Sequence, residues 1–145
     1  TELIVPGVAA ACRLEKLCLD VTEVSGPLPF SSLRRLRWLE LHYGPDTILS
    51  TLTQATLLVA LKLVDHLGLE TPWDWLSALS SLQCLDLSQN YCLNDAVWPY
   101  GFPTFLQQLR VLRLPNATPT EAMEQIKPIR LKVSSRLLCY GKWLR

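Results

Sequence analysis

Two histidines and five cysteines are the side chains of this sequence best suited to nucleophilic or metal chemistry. His42 and His66 stand in the runs Leu-His-Tyr and Asp-His-Leu, and one of them would have to serve as the base for any serine or cysteine nucleophile. The sequence contains no Gly-x-Ser-x-Gly, His-Glu-x-x-His or glycine-rich phosphate-binding motif. We therefore predict that the chain is not an enzyme, takes no small-molecule substrate and binds no cofactor.

The cysteines follow neither a disulfide nor a metal-binding pattern. Their number is odd, and no two of them have the Cys-x-x-Cys spacing of zinc or redox sites. They are Cys12, Cys18, Cys84, Cys92 and Cys139. This usage predicts no metal site and no disulfide framework, and it favours an intracellular location of unspecified compartment.

The composition indicates one ordered domain. The chain has 145 residues, of which 49% are apolar and 19% are charged, and this leaves enough apolar material for a sizeable core. No stretch approaches the roughly 18 apolar residues of a membrane span, and no signal peptide is visible. We therefore expect no membrane contact.

One pattern, Leu-x-x-Leu-x-Leu, recurs along the chain. Five copies have leucine at every position (LEKLCL, LRWLEL, LVALKL, LQCLDL and LRVLRL), and a looser sixth copy reads IKPIRL. The copies begin at residues 14, 36, 58, 82, 109 and 126. The last two leucines of each copy share one face of a strand, because strand side chains alternate. Each unit buries that face only against a neighbouring unit, so the strands are predicted to form a parallel ladder.

The repeat also predicts the positions of the elements. Strands are expected near residues 16–19, 38–41, 60–63, 84–87, 111–114 and 128–131, with all strand leucines buried. Between the strands, apolar residues such as Phe30, Leu33 and Leu36 recur at a spacing that we interpret as helical. Short helices are therefore predicted before the second to the fifth strands.

The sequence resembles the leucine-rich-repeat superfamily over residues 14–131. The resemblance implies an α/β leucine-rich-repeat solenoid of about six repeats, a curved right-handed array with short parallel strands on the concave face and short helices on the convex face. Residues 1–13 would be the tail of a preceding repeat, and residues 132–145 a C-terminal cap. The family usually has an asparagine three residues after the last strand leucine, where its amide bonds the backbones of adjacent turns. Only Asn90 fits that position in the repeats of this chain.

The resemblance also implies a function. Leucine-rich repeats mostly serve as recognition surfaces, so we expect a non-catalytic scaffold for protein–protein interaction that is one module or subunit of a larger assembly. Its expected contact residues occupy the outward strand positions, which alternate with the leucines, on the concave face. They are Trp38, His42, Ala60, Val64, Arg113, Arg130 and Lys132. Trp38, Ala60 and Val64 would be the apolar centre, and the three basic residues a flank for a partner with an acidic patch.

The central outward positions alternate in charge. Glu40, Lys62, Asp86 and Arg113 occupy the same place in consecutive copies, and neighbouring strands lie about 4.8 Å apart. We expect a ladder of weak salt bridges that involves the middle charges and leaves the basic residues at its end available to a partner. Cys18 and Cys84 should face the same side.

Two further surfaces stay open as alternatives. The insertion between the fourth and fifth copies carries four aromatic residues, Tyr91, Trp98, Tyr100 and Phe102. Either Tyr91, Trp98 and Tyr100 are loop contacts with a partner, or Trp98 and Phe102 fold back to cover the core. Residues 101–145 carry eight basic and two acidic residues, a net charge of +6, whereas the preceding part of the chain has a net charge of −5. This basic end is either a solvated segment or a nucleic-acid docking surface.

The nucleic-acid alternative would make the chain a structural subunit of a ribonucleoprotein that docks through residues 110–145. A third alternative is a secreted array. It rests on the glycosylation sequon Asn116-Ala117-Thr118.

Overall fold

A single parallel sheet of five strands organises the chain, with the strands in the order β1-β2-β3-β4-β5. The computed structural model describes residues 13–22, 24, 26–65, 73–90 and 108–114. The strands are β1 (Lys16–Asp20), β2 (Trp38–His42), β3 (Ala60–Val64), β4 (Cys84–Gln89) and β5 (Val111–Arg113). These five predicted strands are confirmed. The strand expected at 128–131 lies outside the described residues, as do most of the segments 1–13 and 132–145 at the two ends.

Successive strands repeat the same register. Leu39 of β2 faces Leu17 of β1 and Leu61 of β3. Just before β1, the carbonyl of Glu15 accepts hydrogen bonds from the amides of Arg37 and Trp38, at 2.9 and 3.0 Å. The carbonyls of Arg37, Val59 and Gln83 each accept an equivalent pair of hydrogen bonds from two consecutive amides at the next strand. Each repeat therefore stacks on the previous one with its leucines aligned.

The leucines of the three middle strands form the centre of the core. They are Leu39, Leu41, Leu61, Leu63, Leu85 and Leu87, and each has no exposed surface. By contrast, Leu17 and Leu19 of β1, and Leu112 and Leu114 at β5, are only partly buried. The prediction that all strand leucines are buried is therefore wrong for the first and fifth strands. Each of these has a described strand on one side only, and burial in a stacked array needs a neighbour on both.

The segments between the strands contain mainly 3-10 helices, which are wound more tightly than α-helices. The described residues contain one α-helix, α1 (Asp46–Thr51), and three 3-10 helices at Phe30–Ser32, Leu52–Gln54 and Trp73–Ala78. The helix expected before β5 falls mostly outside the described residues. None of the described helices has the length and hydropathy needed to cross a membrane.

The spacing of apolar residues explains why 3-10 turns replace most of the predicted helices. Phe30, Leu33 and Leu36 recur every three residues, which is the period of a 3-10 helix and not the 3.6 of an α-helix. The amide of Leu33 donates to the Phe30 carbonyl, and the amide of Leu36 donates to the Leu33 carbonyl, both at 3.0 Å. The same bonds join the equivalent buried residues of the next two repeats, Leu52, Ala55, Leu58, Leu76, Leu79 and Leu82. A strict period of three thus marks successive tight turns.

Strand β4 contains one residue more than β3. Lys62 is in register with Asp86, but Val64 is in register with Gln89. The additional residue is Ser88, whose amide and hydroxyl both donate to Oδ1 of Asp86, at 3.0 and 2.6 Å. Gln89 therefore continues the row of Val64, where the repeat pattern alone predicts Ser88.

Asn90 connects two adjacent turns immediately after β4. Its side chain is fully buried, and Nδ2 donates to the Leu63 carbonyl of the preceding repeat at 2.7 Å and to the Leu87 carbonyl at 3.1 Å. The backbone-bonding role implied by the family resemblance is confirmed at this position.

Replacing Asn90 with alanine is expected to lower the free energy of unfolding by about 1–3 kcal/mol, because the buried Leu63 carbonyl would lose a donor. Thr22, the exposed residue at the equivalent position after β1, provides a matched control, and Thr22→Ala should cost less than about 1 kcal/mol. Denaturant titration of both variants measures the difference. Equal costs would show that the Asn90 bonds do not stabilise the stack.

Candidate binding face

The strand side chains that alternate with the buried leucines form three rows on the other side of the sheet, called here the outer sheet face. The first row contains Lys16, Trp38, Ala60, Cys84 and Val111. The second row contains Cys18, Glu40, Lys62, Asp86 and Arg113. The third row contains Asp20, His42, Val64 and Gln89. Because the ladder bonds hold every strand, these side chains project from a fixed backbone.

The outer sheet face is most open at β1. Lys16, Cys18 and Asp20 are all exposed, whereas Trp38 and His42 on β2 are half-buried. The exposed part of the face is therefore polar at its edge, with the aromatic ring of Trp38 one strand further in.

Two members of the predicted apolar centre offer little surface. Ala60 and Val64 are only 9% and 6% exposed. Both are short side chains that lie between two strands, and each has a larger neighbour on β2, Trp38 beside Ala60 and His42 beside Val64. The expected apolar patch is thus reduced to Trp38.

The alternating charges form two pairs. Nζ of Lys62 lies 2.8 Å from Oε1 of Glu40, and Nη1 of Arg113 lies 3.4 Å from Oδ2 of Asp86. Arg113 was expected to stay outside the salt bridges, and it pairs instead with Asp86. Its contact with a partner stays a prediction. Asp86 and Arg113 are partners in the register of β4 and β5, which brings their side chains together.

Asp86 differs from the other charged residues in the second row, because it is only 3% exposed. It accepts hydrogen bonds from Ser88 and also pairs with Arg113. The repeat pattern predicts that substitutions of Glu40, Lys62 and Asp86 change stability only slightly. Because Asp86 is buried, we expect a larger loss of stability when this residue is replaced.

We expect Asp86→Ala to lower the free energy of unfolding by about 1–3 kcal/mol, since it leaves a partly buried arginine and the Ser88 amide without their acceptor. Lys62→Met removes the other pair on the same row and should cost less than about 1 kcal/mol, because that pair is more accessible to water. Thermal and denaturant unfolding of the two variants would test this order. A larger loss in Lys62→Met would contradict it.

His42 and Tyr43 extend the face beyond the end of β2. Nε2 of His42 lies 2.9 Å from Oε1 of Glu40, and the His42 and Tyr43 rings are 6.0 Å apart with a 52° tilt. Tyr43 is 50% exposed and has a φ of 57°, and Asp65 at the equivalent position has a φ of 50°. Left-handed backbone is uncommon for tyrosine. The leucine pattern did not single out Tyr43, because it contains no information about the turn after the strand.

Cys18, Glu40 and His42 form a cluster that the sequence analysis missed. The thiol, a carboxylate oxygen and a ring nitrogen all lie within 4.8 Å of one another. Cysteine spacing cannot reveal such a group, since its members belong to two repeats. The repeat pattern did contain the information, because it places Cys18 opposite Glu40 on the neighbouring strand. His42 follows Glu40 by two residues and therefore lies on the same face of the strand.

The local environment changes the acidity of three groups near the face. Partial desolvation and, to a smaller extent, the negative charge of Glu40 raise the pKa of the Cys18 thiol, whereas the positive charge of Lys62 acts to lower it. Hydrogen bonds from the Thr22 hydroxyl and amide lower the pKa of Asp20. Burial raises the pKa of the Cys84 thiol, although Arg113 and Arg110 oppose it. A raised pKa lowers the fraction of each thiol that is present as the more reactive thiolate.

Five predicted contact residues lie outside the described residues. They are Arg130, Lys132, Tyr91, Trp98 and Tyr100. His66, the second candidate base, also lies outside them.

The fold is that of a repeat solenoid, with one parallel strand and one set of tight turns in each unit, and it fits the leucine-rich-repeat architecture. Among solved structures, the chain is similar to an internalin (InlF) from Listeria monocytogenes strain 4b F2365, with a TM-score of 0.57 and 22% sequence identity. The alignment covers 87% of this chain and 42% of the internalin chain. No protein-family model and no curated protein matches the sequence.

Proposed function

We propose that this chain is a non-catalytic binding scaffold that holds a partner protein on its outer sheet face. The supporting observation is the uneven openness of that face. The side chains of β1 are exposed and Trp38 and His42 on β2 are half-buried, while Ala60 and Val64 on β3 are covered. Strands β1 and β2 therefore offer accessible side chains on a fixed backbone, where a partner can dock with little reorganisation.

The chemistry of this area suits a protein partner. Trp38 provides an aromatic anchor, and tryptophan is enriched among the residues that dominate binding energy. Lys16 and Asp20, both exposed, supply opposite charges at the rim. The Glu40–Lys62 ion pair across β2 and β3 is already formed, so its charges need little further compensation from the partner. An apolar centre with a mixed polar rim is typical of protein interfaces.

The proposal includes the wider role inferred from the sequence. As a scaffold, the chain would act inside the cell as one module or subunit of a larger assembly, without a substrate of its own. Its likeness to an internalin supports the repeat fold on which this role is based.

Affinity capture followed by quantitative mass spectrometry tests the proposal. The immobilised chain is compared with Lys16→Glu, which reverses an exposed charge on β1, and with Arg35→Glu, which reverses an exposed charge in the turn before β2. A partner protein should be retained by the parent chain and by Arg35→Glu, and its retention by Lys16→Glu should fall by about tenfold at low salt. The interaction is then repeated with the purified partner.

Two outcomes would count against the outer sheet face. In the first, the partner is lost with Arg35→Glu and retained with Lys16→Glu. In the second, the retained material is RNA that is released as salt rises and is indifferent to both variants, which would favour the nucleic-acid alternative at residues 110–145.

A further inference from the structure

Three potential metal ligands meet on the outer sheet face. Cys18 and Glu40 are partners in the register of β1 and β2, and His42 lies two residues after Glu40, on the same side of the strand. The Cys18 thiol, one Glu40 oxygen and one His42 nitrogen are mutually within 4.8 Å. The hydrogen bonds between β1 and β2 determine the spacing of all three backbone positions.

We propose that Cys18, Glu40 and His42 form a binding site for a divalent metal ion of the zinc class. A thiolate, an imidazole nitrogen and a carboxylate oxygen are ligands that zinc accepts in proteins, whereas calcium and magnesium prefer oxygen alone. Three protein ligands leave the fourth tetrahedral position for water or for a side chain of another molecule. The site does not depend on the proposed partner protein.

The dimensions of the cluster fit such an ion. Zinc–ligand bonds of about 2.0–2.3 Å place the atoms of a tetrahedral site about 3.3–3.7 Å apart. The Glu40 oxygen and the His42 nitrogen are already 2.9 Å apart, and the largest separation in the cluster is at most 4.8 Å. Side-chain rotations that move ligand atoms by about 1 Å are therefore sufficient, and the backbone need not move.

The charges around the cluster act in opposite directions. Asp20 is in register with His42 on the neighbouring strand, and its carboxylate adds negative charge near the cluster. Lys62 opposes a metal ion, because its ammonium group is 2.8 Å from Oε1 of Glu40 and competes with the metal for the carboxylate.

Cobalt(II), a spectroscopic substitute for zinc, is the probe for the first experiment. Added alone to the reduced full chain, it should produce the visible bands of tetrahedral cobalt and a thiolate-to-cobalt charge-transfer band at a stoichiometry of one. Cys18→Ser should abolish the charge-transfer band, and His42→Gln should weaken binding by about tenfold or more. Cys84→Ser is the matched control, because Cys84 lies on β4 in the first row, and it should leave the spectrum unchanged.

A competing cation provides a second, opposite test. Lys62→Met removes the ammonium group from Glu40 and should tighten cobalt binding by about threefold or more. An unchanged or weaker affinity would remove Glu40 from the ligand set and overturn the site as proposed.

The unmodified chain provides a readout that does not depend on how the variants fold. Saturating zinc should slow the alkylation of Cys18 by about tenfold or more and leave the alkylation of Cys84 unchanged, as measured by peptide mass spectrometry. Two results would overturn the proposal. One is a Cys18 alkylation rate that is indifferent to zinc, and the other is a cobalt–thiolate band that survives in Cys18→Ser.

Discussion

Leu61→Ala is expected to lower the free energy of unfolding by about 2–5 kcal/mol, the largest loss of stability that we predict for a single substitution in this chain. Leu61 has no exposed surface, and its register partners Leu39 and Leu85 are also fully buried. The substitution would therefore open a cavity between two stacked repeats. In a solenoid, stability depends on such interfaces between neighbours, so the loss should affect both of them.

Two matched substitutions make this result interpretable. Leu57→Ala changes the same residue type where it is 45% exposed and should cost less than about 1 kcal/mol. Leu17→Ala lies in the same row of leucines as Leu61 but in β1, where the side chain is only partly buried, and its cost should be intermediate. Denaturant unfolding followed by circular dichroism measures all three. A cost below about 1 kcal/mol for Leu61→Ala would show that this leucine is not part of the core.

The stacked sheet could be predicted from the sequence because its energetics depend on one repeated pattern. Leu39, Leu61 and Leu85 are in register for the same reason that they recur in LxxLxL. Both their burial and the pairing of Glu40 with Lys62 follow from strand alternation and a constant step between repeats. The prediction of the sheet required only the contacts between neighbouring strands.

The turns were predicted less well, because two helix types share a spacing of three residues. Phe30 and Leu33 fit one face of an α-helix as well as successive 3-10 turns. The distinguishing feature is that the third apolar residue, Leu36, again follows after three positions and never after four. Periods of three maintained over two steps are therefore evidence for tight turns in a short repeat.

The outer sheet face was predicted in its membership but not in its exposure. Alternation correctly places Ala60, Val64 and Asp86 on that side of the sheet. Whether such a residue is accessible depends on the size of its neighbours across two strands, which the pattern of leucines does not contain. The bulge at Ser88 is a further example, because it depends on a local bond to Asp86 and moves Gln89 into the row.

Trp38→Ala is expected to weaken binding of the partner protein by more than about 2 kcal/mol, which is roughly a thirtyfold loss of affinity. Trp38 lies on β2 between Lys16 and Ala60, at the boundary between the open and the covered parts of the outer sheet face. Its side chain is half-buried, which leaves area that a partner could cover. Because this contribution comes from apolar contact, the loss should be nearly the same at low and high salt.

The salt dependence separates this residue from the charged rim. Lys16→Glu should mainly slow association, and its effect should diminish as ionic strength rises, whereas Trp38→Ala should mainly accelerate dissociation. Leu57→Ala removes an exposed apolar side chain away from the three rows and should leave both rates unchanged. Kinetic measurements with the purified partner at two salt concentrations distinguish these cases. If Trp38→Ala binds like the parent chain while Leu57→Ala does not, the working surface is on the turns and the outer sheet face is not the binding site.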